Sequence, residues 1–223
     1  MEHLNLPIFS GQDSTSINSR CVQDQVIISS ASPPGTLLLS SCFEAFHSEL
    51  SSLSEAELEM TGVSLVDFDR PSALLLVLPE KYLRNSVVSG TRLLLIQALI
   101  YLEWATRTVG IAQGAFSALL DRNRQSSTGI IGFSSGVISA CVVGTSPTLL
   151  DFLSNAVSAF RVALWIGVRS QFYRAHALLA SGFHINDSRL WSIILGMGHH
   201  ATEEAISRFC LQVSTLLWLI YIR

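Results

Sequence analysis

A serine flanked by two glycines is the clearest chemical signal in this sequence. Gly132-Phe133-Ser134-Ser135-Gly136 fits the pattern G-x-S-x-G, in which the middle serine sits on a strained turn between a strand and a helix. The turn exposes the hydroxyl, and the helix N-terminus points backbone N–H groups toward it. Because such donors stabilise the oxyanion of a tetrahedral intermediate, the pattern predicts acyl transfer with Ser134 as the nucleophile.

The residues around this motif fit the strand, turn and helix that the chemistry needs. Residues 129–133 form a compact apolar segment that predicts a strand, and residues 137–143 form an apolar run that predicts a helix. Because five-residue matches occur by chance, the prediction depends on this context. The alternative is a turn rich in glycine and serine that merely joins a core strand to a core helix.

A serine nucleophile needs a base, and the spacing of the six histidines assigns none. His47 precedes the motif in a predicted helix, and we expect it to be a surface or capping residue. His176 and His184 follow the motif, and we expect both to be structural as well. The pair His199-His200 fails to match the HHxxxD acyltransferase motif, because position 204 is Glu204.

The composition excludes several classes of function. The chain has 223 residues, 49% hydrophobic and 14% charged, with a formal charge of -3, so it can bury a sizeable core and lacks a basic surface for nucleic acid. Its four cysteines form no CxxC pair and no zinc spacing, which predicts a reduced, cytoplasmic protein without a metal. The longest apolar stretch, residues 209–222, is short for a bilayer span, so we expect no membrane span.

Several elements must position the motif. Residues 6–9 are a short apolar run closed by a polar turn, which predicts a first strand. Ser54 and Glu57 have the spacing of a capping box that opens a short helix. Residues 190–195 predict a further strand. Apolar residues at helical periods predict three longer helices, within residues 37–53, 90–104 and 147–173.

Three motifs in a fixed order carry a family resemblance. They are Phe9-Ser10-Gly11-Gln12, then Gly132-Phe133-Ser134-Ser135-Gly136, then Ala159-Phe160-Arg161-Val162-Ala163-Leu164-Trp165-Ile166-Gly167-Val168-Arg169. Over residues 5–209 this order resembles the starter-unit:acyl-carrier-protein transacylase (SAT) domain of fungal non-reducing polyketide synthases.

The resemblance implies an α/β fold of the malonyl-transacylase type. That fold has an α/β-hydrolase-like parallel sheet flanked by helices, with a small ferredoxin-like lobe that would be incomplete here. Residues 1–185 would form the acyltransferase large lobe, residues 186–209 the start of the small lobe, and residues 210–223 an atypical apolar tail. The family's catalytic histidine follows the segment that matches Phe209, so the resemblance also implies truncation before that histidine and weak or absent activity.

The resemblance implies roles for individual residues. Ser134 takes the nucleophile position, where family members have cysteine or serine. The backbone N–H groups of Gln12 and Ser135 would form the oxyanion hole. Arg169 resembles the arginine that malonyl-type relatives use to hold a substrate carboxylate, or else serves as a structural ion-pair or capping residue.

The same resemblance implies the substrates and partners. In the family, the acyl group passes from acyl-CoA to the nucleophile and then to the phosphopantetheine thiol of an acyl carrier protein. We therefore expect an acyltransferase of fungal polyketide biosynthesis that acts on a starter acyl group. Its partners would be acyl-CoA and an acyl carrier protein or polyketide synthase, and it would hold no bound cofactor.

Two other functions are compatible with the sequence. One is a non-catalytic remnant or binding partner of a polyketide synthase. The other is a small serine esterase of the α/β-hydrolase type, which needs an acid and a histidine after the nucleophile. Asp151 or Asp187 could pair with His184 or His199, but the spacing supports neither pairing.

Overall fold

The computed structural model describes residues 7–10, 20–76, 79–110, 115–125 and 129–180. These residues are mostly helical and contain two short strands, β1 (Ile8–Phe9) and β2 (Ile131–Gly132). Two 3₁₀ turns, Leu65–Asp67 and Pro71–Leu74, precede the fourth helix. The helices are α1 (Arg20–Ala31), α2 (Pro33–Ser51), α3 (Glu55–Thr61), α4 (Glu80–Leu83), α5 (Ser86–Val109), α6 (Ala115–Gln125), α7 (Gly136–Gly144) and α8 (Leu149–Ala180).

The two strands form a parallel pair. Ile8 lies opposite Ile131, and Phe9 lies opposite Gly132, while the Phe133 N–H donates to the Phe9 carbonyl at 2.9 Å. Parallel strands need a crossover connection, and here that connection contains helices α1 to α6. Both strands fall within the segments predicted as strands, residues 6–9 and 129–133.

Helix α5 lies at the centre of the core. Asn85 caps its N-terminus by accepting hydrogen bonds from the N–H groups of Val87 and Val88. The Asn85 side chain is itself buried, and its Nδ2 donates to the Thr61 carbonyl at 2.7 Å. Buried apolar side chains then follow along the helix, among them Leu95, Ile96, Leu99 and Leu102.

An aromatic cluster joins α5 to β1 and to two other helices. The ring centroid of Tyr101 lies 6.1 Å from that of Phe9 and 5.4 Å from that of Phe152. Phe116 of α6 lies 5.8 Å from Phe152. Aromatic pairs at these separations contribute about 0.5–1.5 kcal/mol beyond the area they bury. Burial also raises the pKa of the Tyr101 hydroxyl, so Tyr101 is uncharged where its ring packs against Phe9 of β1.

The capping box predicted at Ser54 is confirmed. The Ser54 backbone N–H donates to Glu57 Oε2 at 3.0 Å, and the Glu57 N–H donates to Ser54 Oγ at 3.4 Å. Helix α3, which this box opens, ends at Gly62, whose φ of +66° is a left-handed conformation that favours glycine.

The chain divides into two compact units, Met1–Gln171 and Phe172–Arg223, and helix α8 runs across the division. Within the first unit, Trp165 Nε1 donates to Glu49 Oε2 at 3.0 Å, and Arg161 Nε lies 3.3 Å from Glu49 Oε1. At Gly167 an added Cβ would lie 2.6 Å from the Val87 Cα. Helix α8 therefore meets α2 through polar side chains and the start of α5 through direct backbone packing.

Of the second unit, the structure describes residues 172–180, the C-terminal end of α8. The predicted strand at residues 190–195, the predicted small lobe at 186–209 and the predicted tail at 210–223 lie outside the described residues. The malonyl-transacylase type of fold and the three predicted domain ranges stay predictions.

Two of the described helices, α5 and the Leu149–His176 part of α8, are long and apolar enough to cross a membrane by length and composition. Helices α1 and α2 together pass the same test, although they bend by 96° where they meet. In the apolar window of α5, 67% of the residues are buried inside the protein. Most of the apolar side chains of α5 are thus part of the hydrophobic core. The expectation of no membrane span stays a prediction.

Candidate active site

The turn between β2 and α7 holds Ser134 in an unusual backbone conformation. Its φ is +53°, and it is the only non-glycine residue with a positive φ in the described part of the chain. A side chain in this left-handed region costs roughly 1–2 kcal/mol, because its Cβ crowds the following carbonyl oxygen. Ser134 is also exposed. A strained, exposed serine between a strand and a helix is typical of a nucleophile elbow and favours it over a plain turn.

The two glycines of the motif let the strands and the helix approach closely. A Cβ added to Gly132 would lie 2.5 Å from the Gly136 carbonyl oxygen, and one added to Gly136 would lie 2.3 Å from the Phe9 carbonyl oxygen. Real Cβ atoms do not come so near to backbone, so packing requires glycine at both positions. The turn that holds Ser134 therefore follows β2 directly and also packs against the backbone of β1.

The entry to α7 leaves one backbone donor beside the nucleophile. The N–H groups of Gly136, Val137 and Ile138 each donate to the carbonyl three residues earlier, at 2.9, 3.1 and 3.2 Å. No such bond joins the N–H of Ser135, the N-cap residue, to an acceptor in the described ranges. Because a helix N-terminus carries partial positive charge, this N–H can stabilise a developing oxyanion. Gln12, the other predicted donor, lies outside the described residues.

The Ser135 hydroxyl is buried and has no hydrogen-bond partner. We expect Ser135→Ala to leave the free energy of unfolding unchanged or to raise it by up to about 1–3 kcal/mol, because a buried hydroxyl without a partner destabilises the folded state by about that amount. Urea unfolding of the two proteins measures the difference. A loss above about 1.5 kcal/mol would show that this hydroxyl is bonded in solution.

Arg169 lies on an exposed part of α8. Its guanidinium carbon is 6.0 Å from the centroid of the Trp165 ring. Hydrogen bonds from Ser54 lower the pKa of the Glu57 carboxyl, and the charge of Arg169 adds to the same shift. Within the described ranges, no hydrogen bond or ion pair joins Arg169 to the elbow. Both predicted roles of Arg169, the contact with a substrate carboxylate and the structural ion-pair or capping role, stay predictions.

The histidine at position 47 is held by the fold. Its Nε2 lies 2.6 Å from the Phe68 carbonyl oxygen, and its ring centroid lies 4.4 Å from that of Phe43. One ring nitrogen thus contacts a backbone carbonyl 21 residues away, so His47 has a structural contact rather than the predicted surface or capping role. His176 is exposed and belongs to the second unit. The remaining four, His3, His184, His199 and His200, lie outside the described residues.

Asp151, one candidate acid for an esterase triad, is bonded to Thr148, the residue that caps the N-terminus of α8. Thr148 Oγ1 donates to Asp151 Oδ2 at 2.6 Å, and the Asp151 N–H donates back to Thr148 Oγ1 at 3.1 Å. Because the carboxylate is bonded to Thr148, its position is explained without a catalytic role. Asp187 lies outside the described residues. Within the described ranges, no three His, Cys, Asp or Glu side chains cluster as a metal site requires.

The sequence did not predict a role for Gln97, yet this residue is bonded both to the end of β1 and to helix α7. Its Nε2 donates to the Ser10 carbonyl at 2.7 Å, and its Oε1 accepts from Ser139 Oγ at 2.6 Å. Ser10 follows β1, and Ser139 lies within α7. The sequence signal that could have found it is a polar amide inside the apolar run of residues 93–102.

Comparison with known proteins gives consistent matches. The family model described as "Starter unit:ACP transacylase in aflatoxin biosynthesis" matches residues 22–221. That range includes residues 210–221, most of the predicted apolar tail. The search of solved structures returned no match.

The curated relatives are fungal synthases. The chain is 42% identical over 210 residues to orsellinic acid synthase ArmB of Armillaria ostoyae, and 41% identical over 210 residues to the orsellinic acid synthase of Armillaria mellea. Each alignment covers 92% of this chain and 9% of the relative. The orsellinic acid synthase of Beauveria bassiana is 32% identical over 174 residues, or 77% of this chain and 7% of the relative. The chain thus spans less than a tenth of the length of these relatives.

Proposed function

The chain belongs to the starter unit:ACP transacylase family, and from this premise we propose that Ser134 carries a starter acyl group between acyl-CoA and an acyl carrier protein of fungal polyketide biosynthesis. The observation that carries the proposal is the positive φ of the exposed Ser134 at the tight turn between β2 and α7. Membership of the family supports the reaction class, and this geometry supports the choice of residue.

The proposed reaction has two balanced steps. In the first, Ser134 Oγ attacks the thioester carbonyl of acyl-CoA, the carbon–sulfur bond breaks, and the hydroxyl proton ends on the coenzyme A thiol. In the second, the phosphopantetheine thiol of the carrier protein attacks the acyl-serine ester. The ester carbon–oxygen bond breaks, and the proton of that thiol returns to Ser134.

The oxyanion formed in each step needs preorganised donors. We propose the Ser135 N–H, at the N-terminus of α7, as the first donor. The backbone N–H of Gln12 is proposed as the second. Losing one oxyanion donor typically costs about 10²- to 10³-fold in rate. We also propose the malonyl-transacylase type of fold, which the parallel pairing of β1 with β2 beside the elbow supports.

The proton acceptor for Ser134 is not assigned. His47 is bonded to the Phe68 carbonyl, and no hydrogen bond joins the Ser134 hydroxyl to a described residue. Because a general base contributes about 10²- to 10⁴-fold, we propose that acylation of this chain by itself is slow. The acyl donor and the carrier protein act as substrates, and the proposal needs no bound metal.

The test is intact-protein mass spectrometry of the folded chain after incubation with acetyl-CoA or hexanoyl-CoA. We expect one acyl increment, which peptide mapping places on Ser134. Addition of a carrier protein bearing phosphopantetheine should remove the increment faster than addition of the same carrier without it. Absence of an increment in folded protein would favour the non-catalytic binding partner or remnant.

The exposed cysteines provide an internal control for this experiment. Cys21 and Cys141 are exposed thiols, and a reactive thioester can acylate such groups without enzymatic help. An increment that mapped to either cysteine, and that neutral hydroxylamine removed, would count against Ser134 as the acyl carrier.

A further inference from the structure

Gln97 forms a hydrogen-bonded link between three elements around the elbow. It lies on α5, donates from Nε2 to the Ser10 carbonyl at 2.7 Å, and accepts at Oε1 from Ser139 Oγ at 2.6 Å. The orientation of the amide follows from its partners, because a carbonyl oxygen can only accept and must therefore face the NH₂ group. One side chain thus joins α5, the end of β1 and the elbow helix α7.

The surroundings of this link make it costly to break. Ser139 is 4% exposed, and the flanking residues Ile96 and Ala98 on α5 are buried. A hydroxyl in such a place needs a hydrogen-bond partner, since an unpaired buried polar group costs about 1–3 kcal/mol. Gln97 therefore satisfies two polar groups that the fold places beside the elbow, the Ser10 carbonyl and the Ser139 hydroxyl.

Gly136, in the first turn of α7, also packs closely against the backbone at the end of β1. Its missing Cβ would lie 2.3 Å from the Phe9 carbonyl oxygen and 2.7 Å from the Ser10 carbonyl oxygen. The backbone after β1 is thus packed against the first turn of α7 and bonded, through Gln97, to the next turn. A shift of the Ser10 carbonyl away from α7 would have to break the Gln97 link.

We infer that Gln97 is a positioning residue for acyl transfer at Ser134, which it supports by holding the end of β1 at Ser10 against the elbow helix. The inference rests on the proposed function of Ser134 as the acyl carrier. The two hydrogen bonds of Gln97 go to Ser10 and Ser139, so it acts on Ser134 through the backbone of Ser10 and through Ser139. Its loss should therefore lower the rate of acylation and leave the affinity for acyl-CoA nearly unchanged.

Three variants separate the two hydrogen bonds of Gln97. Gln97→Leu removes both. Gln97→Glu keeps an acceptor for Ser139 but places a carboxylate oxygen against the Ser10 carbonyl. Ser139→Ala removes only the bond to α7 and leaves the bond to Ser10 in place.

The measurement is the single-turnover rate constant of acylation at saturating acetyl-CoA, together with the acetyl-CoA concentration that gives half the maximal rate. We expect Gln97→Leu and Gln97→Glu to lower the rate constant by about 10- to 100-fold, since misplacement by about 1 Å can cost that much. Ser139→Ala should lower it by less than Gln97→Leu does, and half-saturation should change by less than about 3-fold in all three.

Rates that stay within about 2-fold of wild type in Gln97→Leu would overturn the inference, as would an unchanged rate constant with a raised half-saturating concentration. Hydrogen exchange of peptides covering residues 129–144 tests the link without catalysis. We expect faster exchange in Gln97→Leu than in wild type, and equal exchange would overturn the inference. If wild type forms no acyl-enzyme while exchange rises in the variant, the proposed function fails and the link at Gln97 stands.

Discussion

The Ser134→Gly variant is expected to form no acyl-enzyme and yet to be about 1 kcal/mol more stable than Ser134→Ala. Both changes remove the nucleophilic hydroxyl, so both should abolish the acyl increment. They differ in the backbone, because the Cβ of alanine stays at a φ of +53° while glycine adopts this conformation without crowding. Glycine loses more backbone entropy on folding, so the gain is smaller than the full strain of roughly 1–2 kcal/mol.

Intact mass after incubation with acetyl-CoA measures the first effect, and urea unfolding measures the second. The matched control is Ser135→Gly, one residue later, where φ is -60°. At this ordinary helical φ, Ser135→Gly should be roughly 0.5–1 kcal/mol less stable than Ser135→Ala. If Ser134→Gly is likewise less stable than Ser134→Ala, the turn at Ser134 is unstrained, which would remove the observation behind the proposed function.

Ser134→Cys completes the series. A thiol is intrinsically a stronger nucleophile and depends less on a neighbouring base, so this variant should still be acylated. Together the three variants separate the chemistry of the hydroxyl from the conformation of the turn. An acyl increment of wild-type size in Ser134→Ala would place the acyl group elsewhere in the chain.

The Gly136→Ala variant is expected to lose about 3 kcal/mol or more of unfolding free energy. Its new methyl group would lie 2.3 Å from the Phe9 carbonyl oxygen and 2.7 Å from that of Ser10. Both neighbours are backbone atoms, which cannot rotate aside as the end of a side chain can. Relief of the clash requires α7 to move away from β1, and that movement also displaces Ser134, so acylation should be lost as well.

Gly144, at the other end of the same helix, provides the matched control. A Cβ there has Ile130 Cδ1 as its nearest neighbour, at 4.0 Å. Gly144→Ala should therefore be neutral or stabilise the protein by up to about 1 kcal/mol through the better helix propensity of alanine. Urea unfolding and circular dichroism of both variants give the comparison. Similar stabilities of Gly136→Ala and wild type would contradict the close packing of α7 on β1.

Local sequence patterns predicted several elements that the structure contains. The apolar segments at residues 6–9 and 129–133 contain β1 and β2, and the run at 137–143 lies within α7. The capping box at Ser54 depends on residues three apart, so the sequence alone is sufficient to show it. Helix α1 was not predicted, because among its 12 residues only Val26 and Ser29 are buried, and so few buried positions leave no apolar period.

The resemblance carried by three motifs in a fixed order indicated the family, and G-x-S-x-G between a strand and a helix, which is a local pattern, singled out Ser134. Only the tertiary structure decided that Ser134 has a positive φ, that both motif glycines are needed for close packing, and that Gln97 joins Ser10 to Ser139. The physical reason is distance along the chain. Gln97 lies 87 residues from Ser10 and 42 from Ser139, and hydrogen bonds across such separations follow from how helices and strands pack, which no local pattern records.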